Sequence, residues 1–120
     1  GAVSIGLAPG FAISYILPRL IGASMAADLI YTGRSVSALE ALKIGLVNRV
    51  VEPDRLMDEV MSVIEELLSK PTYALAEAKR LLASSIMHHL SAQLAREKDS
   101  LLKLSRTNDF KRRVKKFIES

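Results

Sequence analysis

Apolar side chains recur at helical spacing along most of the chain and alternate in only two short places. From Leu56 to Leu68 the positions Leu56, Val60, Val63, Ile64, Leu67 and Leu68 form one stripe, which predicts an amphipathic helix. Pro71 sits well at the first position of the next helix, which carries Leu75, Ala78, Leu81, Leu82 and Ile86. Leu90, Leu94, Leu101 and Leu104 share one face of another helix, over about 90–104. Thr107 or Asn108 caps a last helix through Phe110, Val114, Phe117 and Ile118. Nearer the start, Ile13, Leu17, Leu20 and Ile21 predict a helix from Phe11 to Leu20, with Pro18 loosening one turn. Ser24 is the expected N-cap of a helix through Tyr31, and Gly33 its C′ residue.

The densest set of starts and stops lies in Tyr31 to Val51. Ser37-Ala38-Leu39-Glu40 has capping-box spacing, with the serine capping the third helical N–H and the glutamate reaching back. That helix of about two turns ends at Gly45, and Leu46 to Val51 alternates with β-branched residues, which predicts a short strand. Val3-Ser4-Ile5 reads as the end of another strand, broken by Gly6 and Pro9-Gly10. The predicted fold is mainly α with one or two short strands. Two strands make only a marginal sheet, so these look like edges of a sheet whose remainder is elsewhere, in a larger molecule.

Composition narrows the chemistry. The 120 residues are 49% apolar and 25% charged, a globular balance, and contain no cysteine, which excludes disulfides and thiolate metal sites. Lack of cysteine fits a cytoplasmic setting, and no run approaches the ~20 apolar residues that span a bilayer, so no membrane role is expected. The apolar opening has no basic region before it, unlike a signal peptide. The net charge of +4 is uneven: residues 71–120 carry eleven basic and five acidic side chains. Seven of the basic ones fall between Lys103 and Lys116. A solvated helix face is the default reading of such a tail, and phosphate contact by Lys115 or Lys116 is the sharper one. Without interleaved surface aromatics or a binding motif, nucleic-acid recognition is not expected.

His88 and His89 are the only histidines. Neighbours on a helix point about 100° apart, so the pair reads as a solvated helix end rather than a metal site. Tyr31, Tyr73, Phe11, Phe110 and Phe117 read as core or interface side chains. The apolar faces of the last three helices exceed what so short a chain can bury within itself, which predicts a homo-oligomer.

One set of residues resembles a known family. Gly6-Leu7-Ala8-Pro9-Gly10 followed by Leu17-Pro18-Arg19-Leu20-Ile21-Gly22 is similar to the G-L-x-P-G…L-P-R-x-x-G run of the crotonase (enoyl-CoA hydratase/isomerase) superfamily. Ala27 through Gly33, Ala38-Leu39-Glu40-Ala41, Gly45-Leu46-Val47-Asn48-Arg49-Val50-Val51, Pro71 with Lys79, and Thr107, Asp109, Phe117 and Glu119 continue the likeness in order. Each piece is weak alone, and their order and spacing make the likeness specific. The resemblance implies the C-terminal half of a ClpP-like fold: residues 1–52 as the last portion of a ββα spiral core, and residues 53–120 as helices that assemble trimers, often paired into hexamers.

The implied chemistry acts on an acyl-CoA thioester substrate, without a further cofactor or metal, through an enolate whose oxygen is held by two backbone N–H groups. Those donors, and one of the two glutamates of a hydratase, belong to segments upstream of Gly1 in the family pattern. The second glutamate falls four residues before the matching glycine, at Ala2. A methyl group transfers no proton, so two readings stand: the parent protein lacks this glutamate, or Gly1-Ala2 replaces native residues at a cut. Residues 6–16 contain no Asp, Glu, His or Lys, only Ser14 and Tyr15 as polar side chains. No catalytic residue is therefore assigned in this chain. Gly6, Leu7, Ala8, Pro9, Gly10 and Phe11 are the candidate wall of the substrate pocket, or simply a tight turn. Phe117 matches a family phenylalanine that approaches coenzyme A, with Lys115 and Lys116 nearby; the accompanying family lysine position is Ser120, a departure. Hydration of a trans-2-enoyl-CoA or double-bond isomerisation is the implied activity of the parent, with this chain alone silent. A helical oligomerisation or partner-binding module is the alternative.

Overall fold

The computed structural model describes residues 1–87 and 89–119. His88, one of the paired histidines, and Ser120 lie outside the described residues. Among the described residues, seven α-helices follow in order: α1 (Ile13–Ile21), α2 (Ala23–Thr32), α3 (Ala38–Lys43), α4 (Leu56–Leu68), α5 (Thr72–Met87), α6 (Leu90–Ser105) and α7 (Asn108–Ile118). Short 3₁₀ turns occupy Ala2–Ile5 and Pro53–Arg55.

Neither predicted strand forms among the described residues. A strand needs a neighbour for its N–H and C=O groups, and none is at hand. Residues 1–7 close on themselves instead: Ser4 N–H donates to the Gly1 carbonyl at 3.0 Å and Leu7 N–H to that of Ala2 at 2.9 Å. At the second place, Leu46 and Val47 N–H both donate to the Ala41 carbonyl (2.8 and 3.3 Å), and residues 47–52 run without regular structure.

Local signals fared better where they were self-contained. Ser37 Oγ accepts from Glu40 N–H at 3.2 Å, capping α3 as its spacing predicts. The reciprocal half of the box is absent, because the Glu40 carboxylate turns to Arg34 at 2.8 Å, which also holds Asp28 at 2.9 Å. Those two acids, Glu40 first, raise the Arg34 guanidinium further above its ordinary range. Thr107 Oγ1 caps α7 by accepting from Phe110 N–H at 3.2 Å. The predicted Ser24 cap does not form. Gly22 at φ 81° both ends α1 and starts α2, a backbone corner that leaves Ser24 inside the helix. Gly33 ends α2 at φ 64°, and a Cβ there would stand 2.8 Å from Ser4 Oγ, so the first turn packs against bare backbone. Pro71 lies one residue outside α5, its carbonyl accepting from Leu75 N–H at 3.0 Å. Pro18 lies within α1 without ending it.

The buried side chains Ala12, Tyr15, Leu17 and Ala26, with the carboxylate-bearing Glu97, belong to the segment where α1 packs on α2 and α6, while Ala41 is buried separately on α3. Helices α4 and α5 bury no residue. The radius of gyration is 18.6 Å, against about 14 Å for a compact domain of this length. The molecule is therefore a small helical knot with long helices leading away from it.

Candidate functional site

The sequence dictates a tight passage from Gly6 to Ser14: proline and glycine break the helix, and α1 begins only at Ile13. The delayed start, two residues after the predicted Phe11, has a definite cause. Phe11 (φ 57°) and Ala12 (φ 61°) both adopt the left-handed conformation, which costs an L-residue roughly 1–2 kcal/mol each. Phe11 is thereby turned out, 98% exposed.

This passage forms one side of a cavity of about 470 Å³, a volume suited to a small-molecule substrate. Leu7, Ala8, Pro9, Gly10 and Phe11 all line it, and Ala2 lines it too. Gly6 does not: a Cβ there would meet the Phe110 backbone and the Asp109 carboxylate at 3.4 Å, so it faces α7. The opposite wall comes from Leu17, Leu29, Ile30 and Leu101. Among the described residues, no lining side chain is ionisable. The cavity suits an apolar chain and offers no side chain to move a proton.

A buried carboxylate beside this passage comes from α6. The Glu97 carboxylate, 5% exposed, accepts from Ala12 N–H at 2.8 Å and from Ser14 N–H at 3.0 Å. It also accepts from the Ser14 hydroxyl, which in turn accepts from Gln93 Nε2 at 2.9 Å. These are the N–H groups that the first turn of α1 leaves without helical partners, so a residue more than eighty positions away supplies the cap. Hydrogen bonds to a charged acceptor contribute roughly 1.5–3 kcal/mol each, enough to offset the two left-handed residues. The helix-end partial charge adds to the attraction. Just behind, the Tyr15 hydroxyl donates to the Ile86 carbonyl at 2.7 Å, and Arg19 lies 3.5 Å over the Tyr15 ring. Ser14 is one of the two polar side chains that the sequence places in residues 6–16. Glu97 carried its own signal: it sits on the same heptad-spaced stripe as Leu90, Leu94, Leu101 and Leu104, an acid on an apolar face.

The predicted coenzyme A contacts stand apart from this cavity's lining. Lys115 borders a separate groove of about 360 Å³ on α7 with Phe110, Val114 and Ile118, and it pairs with Glu119 at 3.8 Å. Lys116 and Phe117 are exposed on the same helix. The helix is tied to the first turn by Arg113, which donates to the Ser4 carbonyl at 3.3 Å. Arg113, with Arg112, holds the Asp109 carboxyl below its ordinary value. Among the described residues, no three His, Cys, Asp or Glu side chains gather as a metal site. A larger open groove of about 600 Å³ runs along residues 50–62, lined by water-exposed Arg55, Asp58 and Glu59 rather than by convergent polar groups.

Compared with known proteins, residues 2–120 match the profile of the family described as Enoyl-CoA hydratase/isomerase. The chain belongs to that family. It is 35% identical over 117 residues to the short-chain-enoyl-CoA hydratase of Clostridium acetobutylicum, a match covering 98% of this chain and 45% of that protein. The crotonyl-CoA hydratase of Syntrophomonas wolfei gives the same identity and the same coverage. Among solved structures, an enoyl-CoA hydratase/isomerase from Pseudoalteromonas atlantica superimposes with a TM-score of 0.90 at 34% identity. That alignment covers 98% of this chain and 48% of the other. The chain thus spans about half the length of the curated relatives it matches, and the resemblance drawn from its motifs is to the right family. Among the described residues, no helix is long and apolar enough to cross a membrane.

Proposed function

We propose that this chain is the C-terminal part of a cytoplasmic enzyme acting on acyl-CoA thioesters through an enolate-type oxyanion, and that alone it does not turn over substrate. The observation that carries this reading is the cavity behind residues 7–11, which is sized for a ligand and bounded only by apolar side chains. Such a wall can receive the acyl portion of a thioester by burying its methylenes, each contributing about 0.8 kcal/mol. It cannot stabilise an oxyanion or protonate a carbon. In this reading the backbone N–H donors and at least one glutamate come from a segment outside these 120 residues. Residues 1–52 complete the ββα spiral of that larger subunit, and residues 53–120 assemble it. Phe117, Lys115 and Lys116 approach the coenzyme A moiety, the lysines by charge-assisted contact with phosphate.

Incubating the chain with crotonyl-CoA and following the conjugated thioester absorbance tests this. The expected result is no loss above buffer, and clear turnover would show that the donors are not missing.

A second reading has its own observation. Leu56, Met57, Met61 and Leu68 of α4, and Tyr73, Leu81, Leu82 and Met87 of α5, are all exposed. Fully burying such a side chain contributes roughly 1.5–3 kcal/mol, so these faces favour a trimer or hexamer. With Ala2 at the hydratase glutamate position, a parent using this region only for assembly is the rival. The native residue there in the intact gene product separates the two: glutamate favours the hydratase, alanine or glycine the assembly module or altered chemistry.

A further inference from the structure

We propose that Glu97 is a positioning residue: from α6 it holds the left-handed Phe11–Ala12 turn, and through that turn it sets the wall of the apolar cavity. The use of that wall for an acyl chain rests on the reading given above; the clamp itself does not.

Three features point the same way. First, the turn is conformationally expensive. Neither Phe11 nor Ala12 is glycine, yet both lie at φ near 60°, and consecutive left-handed residues persist only where the surroundings impose them. Second, the imposing group is identifiable. Ala12 and Ser14 N–H both end on the one Glu97 carboxylate, and Gln93, one helical turn earlier, steadies the Ser14 hydroxyl that bonds to it. Third, the same helix braces the other side of the turn. Leu101, the next turn along α6, stands 3.0 Å from where a Cβ on Gly10 would be, and it lines the cavity together with Phe11. Phe11 also borders a second, open groove of about 440 Å³ with Leu94, Glu97, Lys98, Leu101 and Leu102. Gln93, Glu97 and Leu101 thus form a rail along which the segment 10–14 is laid.

A carboxylate is the side chain this task requires. All three of its donors point inward, and an acceptor-only group satisfies them without introducing a donor of its own. In Glu97→Gln one oxygen becomes NH₂, which faces an N–H or O–H and leaves it unpaired in a buried place. Without the clamp, Phe11 and Ala12 relax toward ordinary φ values and the wall moves. Ala12→Gly removes most of the penalty for the left-handed state and keeps the turn populated even when the clamp is weakened.

The test uses the 15N-labelled 120-residue chain, with amide exchange as one readout and titration with hexanoyl-CoA as the other. In E97Q, exchange at Ala12, Ser14 and Ile16 should rise on the order of tenfold. The end of α2, held by the Gly33 N–H to Leu29 carbonyl bond at 3.0 Å, should change less than about twofold. A12G in the E97Q background should recover most of the lost protection, and hexanoyl-CoA affinity should fall in E97Q and recover in the double variant. Equal acceleration in α2 would reduce Glu97 to a general stabiliser, and unchanged exchange at residues 12–16, or no rescue by A12G, would overturn the clamp. If the exchange pattern holds but hexanoyl-CoA binds neither wild type nor variants, the clamp stands and the acyl-pocket reading is overturned.

Discussion

Helices α1 and α4 present equally clear apolar stripes in sequence, yet they end in opposite circumstances. Helix α1 meets α2 and α6 and buries Leu17 of its stripe together with Tyr15, while Ile13 and Leu20 stay exposed. That of α4 rests on the 3₁₀ turn before it and buries nothing, leaving Leu56, Val60, Ile64, Leu67 and Leu68 at 39–78% exposure. Periodicity therefore reports that a face is made to be covered, and says nothing of what covers it. Around α1 the cover is this chain's own α6, held by a polar contact. Along α4 and α5 no residue is buried, in a chain that spans about half of its relatives' length.

Substitutions can set the two regions against each other. The largest effect is expected at Glu97. Glu97→Ala strands the Ala12 and Ser14 N–H groups in a buried place and should lower the unfolding free energy by about 3 kcal/mol, read from urea denaturation. Ile64→Asp on α4 should behave in the contrary way. It should change monomer stability by no more than about 0.5 kcal/mol, since the face is open, while dispersing any oligomer seen by sedimentation. A comparable loss of monomer stability from both would erase the contrast between self-covered and open faces.

Smaller effects refine the boundary between the regions. Thr107→Ala removes the α7 cap and should cost about 1 kcal/mol in thermal unfolding, a local loss that leaves α1 and α6 intact. The faintest signal is electrostatic. Hydrogen bonds from Arg113, then Arg112, hold Asp109 below the ordinary aspartate value of about 3.9. The folded state therefore binds fewer protons than the unfolded one near that pH. The stabilisation is complete above the ordinary value and is lost as pH falls through the lower folded value. Because Asp109 is exposed, the expected result is a slight drop in Tm below about pH 4 that Asp109→Asn abolishes.

Most helices were legible in the order of residues because their signals are local. The stripe of α4, the Thr107 cap of α7, the Ser37 cap of α3 and the left-handed Gly33 each involve residues within a turn of one another, and all stand where the pattern puts them. The tight passage over residues 6–11 was legible too, because proline and glycine in that spacing interrupt regular structure, and residues 7–11 of it line a cavity. The strands failed for the opposite reason. Val3-Ser4-Ile5 and residues 46–51 have strand-like composition, but a strand is a relation to a neighbour, and among the described residues no neighbour is there.

Residue order and local chemistry were enough for most helix positions, the Ser37 and Thr107 caps and family membership, since each depends on nearby residues or on motifs taken in sequence. The left-handed Phe11–Ala12 turn, the burial of Glu97 against it and the exposure of α4 and α5 emerged only when distant segments came together. An acid on a leucine stripe is a conflict within its own helix. It becomes a cap only when a second helix brings its unpaired N–H groups within 3.0 Å.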